Sequence, residues 1–192
     1  MTLNFEYQQK IIELLLAFAA NCKNNRPIRV LMLGMGGGSI AHHLFQSYAG
    51  LQMTVVELRQ AVIDCAYRFF QLPDEPEIEV VQANAIDYIA HNQHAYDAII
   101  VDIFDANGLP SEISQPAFLT GLLKNIKTPG SLILNLWFEW DTKQPSGKPI
   151  PTEETQAILK HFQNLNDQDS HYQLNRYNIQ SSQNLILEIL KK

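Results

Sequence analysis

Val30-Leu31-Met32-Leu33-Gly34-Met35-Gly36-Gly37-Gly38-Ser39 is an apolar run that stops in a cluster of glycines and then passes into a helical pattern. Large apolar residues in succession suit a strand covered on both faces. Glycines just beyond its carboxyl end let backbone approach a ligand with no Cβ in the way. Strand, glycine turn and helix in that order predict the first unit of an α/β fold and the start of a nucleotide or nucleoside site.

The same alternation extends along the chain. Upstream, Phe5, Ile11, Ile12, Leu15, Leu16, Phe18 and Ala19 recur at helical spacing, so an amphipathic helix is expected over 4–20, in a segment 1–27 that packs on the core. A strand is expected over 28–33 and a helix over 39–48, with Ile40, Leu44 and Phe45 inward. Residues 53–57 read as a second strand ending in Glu57, followed by a helix through Val62, Ile63, Ala66 and Phe70, with Tyr67, Phe69 and Phe70 assigned to the core; residues 72–76 stop it. A strand over 78–81, a helix over 86–90 and a strand over 98–102 ending in Asp102 come next. An irregular loop at 103–114 leads to a helix over 117–126, a turn at Thr128-Pro129-Gly130 and a fifth strand over 131–136.

Residues 141–151 hold three prolines and one glycine and read as a loop that can lie over the site. Thr152-Glu153-Glu154-Thr155 carries the N-cap signature of a last helix, and 172–179 with 184–190 form a hairpin. Strands alternating with helices predict a doubly wound, mainly parallel seven-stranded sheet with a C-terminal antiparallel hairpin, residues 28–192 forming one Rossmann-like domain. Trp137, Phe138 and Trp140 follow the fifth strand and read as a core edge or interface, with an aromatic wall against a cation as the functional alternative.

The chain has 192 residues, 46% hydrophobic and 18% charged, which suits one domain with a real core. A formal net charge of -6 argues against binding nucleic acid through its phosphates and makes a cationic small molecule the more natural partner. Two cysteines, Cys22 and Cys65, without metal spacing, read as reduced core thiols. Neither a leader nor a membrane span is evident, so a cytoplasmic location with no membrane partner is expected; homodimerisation is a further expectation. The histidines read as solvated or structural, His42 and His43 being adjacent on one helix and His91 and His94 lying near a polar helix end.

In an open parallel sheet the ligand lies outside the carboxyl ends of the strands, near the switch point of the winding. Four strand ends supply candidates. Gly34, Gly36 and Gly37 form the turn; Glu57 follows at the spacing where a carboxylate accepts ribose hydroxyls; Asn84 can face an adenine edge; Asp102 and Asp105 follow the fourth strand. The turn lacks GxxxxGK[ST] and departs from GxGxxG at its last glycine, so a nucleoside without pyrophosphate fits better. Two carboxylates at one strand end suit an ammonium group, and an ionised one can take a proton from an attacking amine; solvated turn acids are the plainer alternative. Metal binding would need further ligands, and none are evident in that loop.

The order of these motifs resembles the polyamine aminopropyltransferases, the spermidine synthase family, whose core has the class I S-adenosylmethionine-dependent methyltransferase fold. Phe5-Glu6-Tyr7-Gln8-Gln9, the glycine turn, Val55-Val56-Glu57 and Tyr96-Asp97-Ala98-Ile99-Ile100-Val101-Asp102-Ile103-Phe104-Asp105 carry the resemblance, over about residues 4–136. It implies that Asp102 is the base, that Asp105, Tyr7 and Gln8 hold the amine, and that decarboxylated S-adenosylmethionine or S-adenosylmethionine is the donor. Two residues depart from the family pattern: Gly37 stands where the family has an acid for the donor's amino group, and Asn84 where it has an adenine-contacting Asp. The small N-terminal β-domain of the family is expected to be lacking. Aminopropyl transfer to an amine is therefore the leading expectation, with methyl transfer and non-catalytic binding of a nucleoside or polyamine as alternatives.

Overall fold

The structure is a computed structural model and describes residues 5–22, 27–140 and 149–192. Its elements run α1 (Glu6–Asn21), β1 (Ile28–Leu33), α2 (Ser39–Ser47), β2 (Leu51–Glu57), α3 (Gln60–Phe69), β3 (Ile78–Gln82), α4 (Ala85–His91) and β4 (Tyr96–Val101). A short 3-10 turn, Ser111–Ser114, precedes α5 (Pro116–Lys124), β5 (Ile126–Trp140), β6 (Pro149–Pro151), α6 (Glu153–Gln168), β7 (Tyr172–Asn178) and β8 (Asn184–Lys191).

The sheet has the order β3-β2-β1-β4-β5-β8-β7. Pairing is parallel from β3 across to β5 and antiparallel at β5·β8 and β8·β7. Side chains alternate between faces at period two, and that alternation builds two cores. Val30, Met32, Val55 and Ile100 meet α1 and α2 on one face, where Ile11, Leu15 and Leu44 are wholly buried. Leu31, Leu33, Ile99 and Val101 meet α5 and α6 on the other, around Leu119, Leu122 and Phe162. Both faces being covered explains why residues 30–33 of β1 and 98–101 of β4 read as unbroken apolar runs.

Several details differ from the sequence reading. The sheet has eight strands, because Pro149–Pro151 pairs with Phe138–Trp140 as β6 instead of remaining loop; residues 141–148 of the expected loop lie outside the described residues. Thr128-Pro129-Gly130 lies within β5: Tyr96 pairs with Ile126 and Ala98 with Ser131, so residues 127–130 bulge opposite Asp97 alone. A bulge accommodates the proline that a regular ladder would reject. Buried Asp97 anchors it, accepting from Lys127 Nζ at 2.9 Å and from Arg29 N at 2.8 Å. Trp137 and Phe138 continue β5 rather than following it.

The end of α3 also departs from expectation. Phe69 is 74% exposed and Phe70 40%, and Cys65 is exposed rather than a core thiol. Its buried stripe is short, Ile63 and Ala66, so residues beyond it have no sheet to cover. Thr152 caps α6 as its signature predicts, its Oγ1 accepting from Thr155 N at 3.2 Å. No helix among the described residues is long and apolar enough to cross a membrane.

Candidate active site

The winding reverses between β1 and β4, which both leave the sheet at the same edge. A cavity of about 530 Å³ opens there, within the size range of small-molecule sites. The backbone at this edge is close-packed. Gly34 has φ +85°, and a Cβ on it would lie 2.2 Å from the carbonyl oxygen of Asp102, so glycine alone lets the ends of β1 and β4 lie side by side. Gly34 N donates to Val56 O at 2.8 Å and Asp102 N to Leu33 O at 2.8 Å, which continues the ladders to the rim.

Glu57 ends β2 and is 6% exposed, yet reaches the cavity. Its Oε2 accepts from Met35 N at 3.2 Å and its Oε1 from Arg59 N at 3.0 Å, with Arg59 Nε at 3.5 Å. One carboxylate thus fastens the glycine turn to the end of the neighbouring strand. Each of its oxygens keeps a second lone pair for a ligand hydroxyl.

Asp102 follows β4 and lines the cavity. Burial pushes its carboxyl up from the ordinary aspartate range, and the hydrogen bond from Asn135 Nδ2 to Oδ1, 2.9 Å long, pulls in the opposite direction. Its other oxygen accepts no hydrogen bond among the described residues. Tyr7, from the first turn of α1, lines the same space. Its phenol is pushed up to about 12, by burial first and then by the charge of Asp102, so it remains a hydrogen-bond donor at neutral pH.

Asp105 is exposed on the loop after β4 and lines the cavity. Its Oδ1 accepts from Asn107 N at 2.6 Å, an Asx turn, so this residue shapes the loop as well as presenting charge. Asn84 also lines the cavity, but its Oδ1 caps α4, accepting from Ile86 N at 2.8 Å. Its Nδ2 makes no hydrogen bond among the described residues and is left to face a ligand.

Of the residues singled out from sequence, Gly34, Gly36, Glu57, Asn84, Tyr7, Asp102 and Asp105 surround this one cavity. Gln8 and Gly37 are not in its lining. Gln8 reaches the site through Tyr7, donating to the phenol oxygen at 3.3 Å. Gly37 faces the Phe70 ring, which a Cβ there would meet at 3.2 Å. Sequence reasoning missed Arg59, Phe104, Glu112 and Asn135. The signal for Asn135 was available: a lone amide in the apolar run 131–136 must find a buried partner. Phe104 packs edge-on to Trp137, ring centroids 6.1 Å apart, and lines the cavity with one face of that aromatic pair. No group of three or more candidate metal ligands occurs among the described residues.

Known proteins are similar to this chain in sequence and in fold. A polyamine aminopropyltransferase of Chromobacterium violaceum is 30% identical over 115 residues, 59% of this chain and 44% of its own. A probable polyamine aminopropyl transferase of Bifidobacterium longum is 31% identical over 121 residues, 62% of this chain and 26% of its own. The chain thus spans less than half the length of these curated relatives. Among solved structures, a probable spermidine synthase from Corynebacterium glutamicum superposes with a TM-score of 0.77 at 18% identity, covering 100% of this chain and 65% of that one. Human methyltransferase-like protein 13, solved in complex with SAH, gives 0.71 at 21% identity, covering 94% and 81%. These two establish the methyltransferase-type Rossmann fold. The model of the spermine/spermidine synthase domain matches residues 5–137, from the turn that carries Tyr7 to the strand that carries Asn135, and the chain belongs to that family.

Proposed function

We propose that this chain binds an S-adenosylmethionine-type donor, preferably the decarboxylated form, in the cavity at the β1/β4 switch point, and transfers its aminopropyl group to a polyamine or other small amine. The observation that carries the reading is the placement of Asp102: a carboxylate with one oxygen held and the other open, facing the same cavity as Glu57.

In this reading Glu57 accepts the ribose hydroxyls and Gly34 and Gly36 let the nucleoside lie against backbone. Asn84 offers its Nδ2 to the base. The amine approaches from the side of Asp105, Tyr7 and Gln8. Among the described residues, Glu57, Asp102, Asp105 and Glu112 line the cavity against one cation, Arg59, which is already paired with Glu57, and such an excess of negative charge suits a cationic acceptor. Asp102 takes the proton as the amine nitrogen attacks the carbon on sulfur; the carbon–sulfur bond breaks and its electron pair stays on sulfur as a neutral thioether. A sulfonium leaves readily, so the protein's contribution is in-line positioning and proton removal.

Methyl transfer from intact S-adenosylmethionine is the second reading, favoured by Gly37, which offers no carboxylate, and by the Phe70 ring packed against it. Calorimetric titration separates the donors. Tighter binding of decarboxylated than of intact donor, weakened about tenfold or more by Glu57→Ala, is the expected result. Preference for the intact donor would transfer the assignment to methyl transfer, and no heat with either would overturn both.

A further inference from the structure

Asn135 is 2% exposed and Asn184 6%, both inside the sheet. They form a continuous line of hydrogen bonds. Ser182 Oγ, in the β7–β8 turn, donates to Asn184 Oδ1 at 2.6 Å; Asn184 Nδ2 donates to Asn135 Oδ1 at 2.8 Å; Asn135 Nδ2 donates to Asp102 Oδ1 at 2.9 Å. Each amide accepts at one end and donates at the other, so the line has a direction. Flipping the Asn135 amide alone would set its N–H₂ against that of Asn184 and its oxygen against the carboxylate oxygen; flipping Asn184 alone would set two amide oxygens face to face. The same turn touches α1, because Ser181 N donates to Glu6 Oε2 at 3.1 Å, next to Tyr7.

We propose that Asn184, with Ser182 behind it, is a positioning residue for Asp102: it locks the amide of Asn135 with its donor toward Oδ1 of the carboxylate, and so fixes the carboxylate with its other oxygen facing the cavity. Among the described residues, no group at the cavity rim does this. The titratable groups that share the cavity with Asp102 are Tyr7 on α1, whose phenol feels its charge, Glu57 and Arg59 at the end of β2, and Asp105 and Glu112 beyond β4. Asn135 is the one side chain among the described residues that donates to its carboxylate. A buried amide free to rotate would donate part of the time and face its oxygen at the carboxylate for the rest. Asn184 removes the second orientation, which makes the far hairpin part of the catalytic apparatus without touching a substrate. The role in turnover rests on the proposed transfer reaction; the effect on the carboxylate does not.

Carbon NMR titration of the ligand-free protein reads the carboxylate directly, with Asp102→Asn identifying its resonance. Asn135→Leu and Asn184→Leu are each expected to raise the Asp102 midpoint by about one unit, and Ser182→Ala by less. The acid limb of the pH–rate profile should move with it, while Tyr177→Phe, which loses only a bond to Glu188 in the same hairpin, leaves it in place. An Asn184→Leu protein that folds and titrates like the wild type overturns the proposal. If Asn184→Leu does not fold, Ser182→Ala in the turn decides: an unmoved midpoint overturns it and a raised one supports it. Because neither donor nor amine is present, the relay can fail with transfer intact, and transfer can fail with the relay intact.

Discussion

Asp102 is a residue whose environment works against its own stability. Burial raises its pKa above 3.8, so the folded protein holds that proton more tightly than the unfolded chain does. The sign follows: below pH 3.8 the carboxyl is neutral in both states and costs nothing, and as pH rises through the folded value the fold must accommodate a buried charge. Asp102→Asn keeps an oxygen for Asn135 and removes that charge. It is expected to be more stable than the wild type in urea unfolding at neutral pH, with the gap closing as the pH falls through the folded value towards 3.8; an equal difference at neutral and acid pH would show that the carboxylate is not desolvated. Asp102 was legible in sequence because an acid that closes an unbroken apolar strand stands at the sheet edge where ligands bind. Asn135 stood out as a lone amide in an apolar strand, but its partner lies 33 residues away, at a distance that no local spacing reveals.

Among the elements, α4 joins site and scaffold through one residue. Asn84 both caps its first turn and faces the cavity, so the two roles are separable by substitution. Asn84→Ala is expected to cost about 1 kcal/mol in denaturant unfolding, and Asn84→Asp, which retains the acceptor and meets the helix dipole favourably, to cost little. An alanine variant as stable as the wild type would show that the cap contributes nothing. Apolar runs and periodicity resolved the core elements well, since the carboxyl halves of β1 and β4 are apolar on both faces and α1 shows a single stripe. It failed where partners set the structure. Thr128-Pro129-Gly130 has the chemistry of a turn, and what makes it a bulge inside β5 is the pairing of Ile126 with Tyr96 before it and of Ser131 with Ala98 after it. Pro149–Pro151 becomes a strand because the far end of β5 offers it an edge.

At the scale of the molecule, the sheet order brings four strand ends to one edge, and the acids at those ends acquire meaning only together. Glu57 and Asp102 are 45 residues apart in sequence, yet line one cavity because β2 and β4 flank β1. That convergence was legible, since right-handed winding fixes where successive strand ends fall. What the glycine turn does at Gly37 was not, because Phe70, 33 residues on, fills the space beside it. The identity of the transferred group is therefore decided by products. Mass spectrometry after incubation with decarboxylated S-adenosylmethionine and putrescine or spermidine tests the central claim most directly. The account predicts an amine heavier by one aminopropyl group with the wild type and none with Asp102→Asn, whose donor binding persists; a methylated amine made from intact donor, or undiminished turnover by Asp102→Asn, would contradict it.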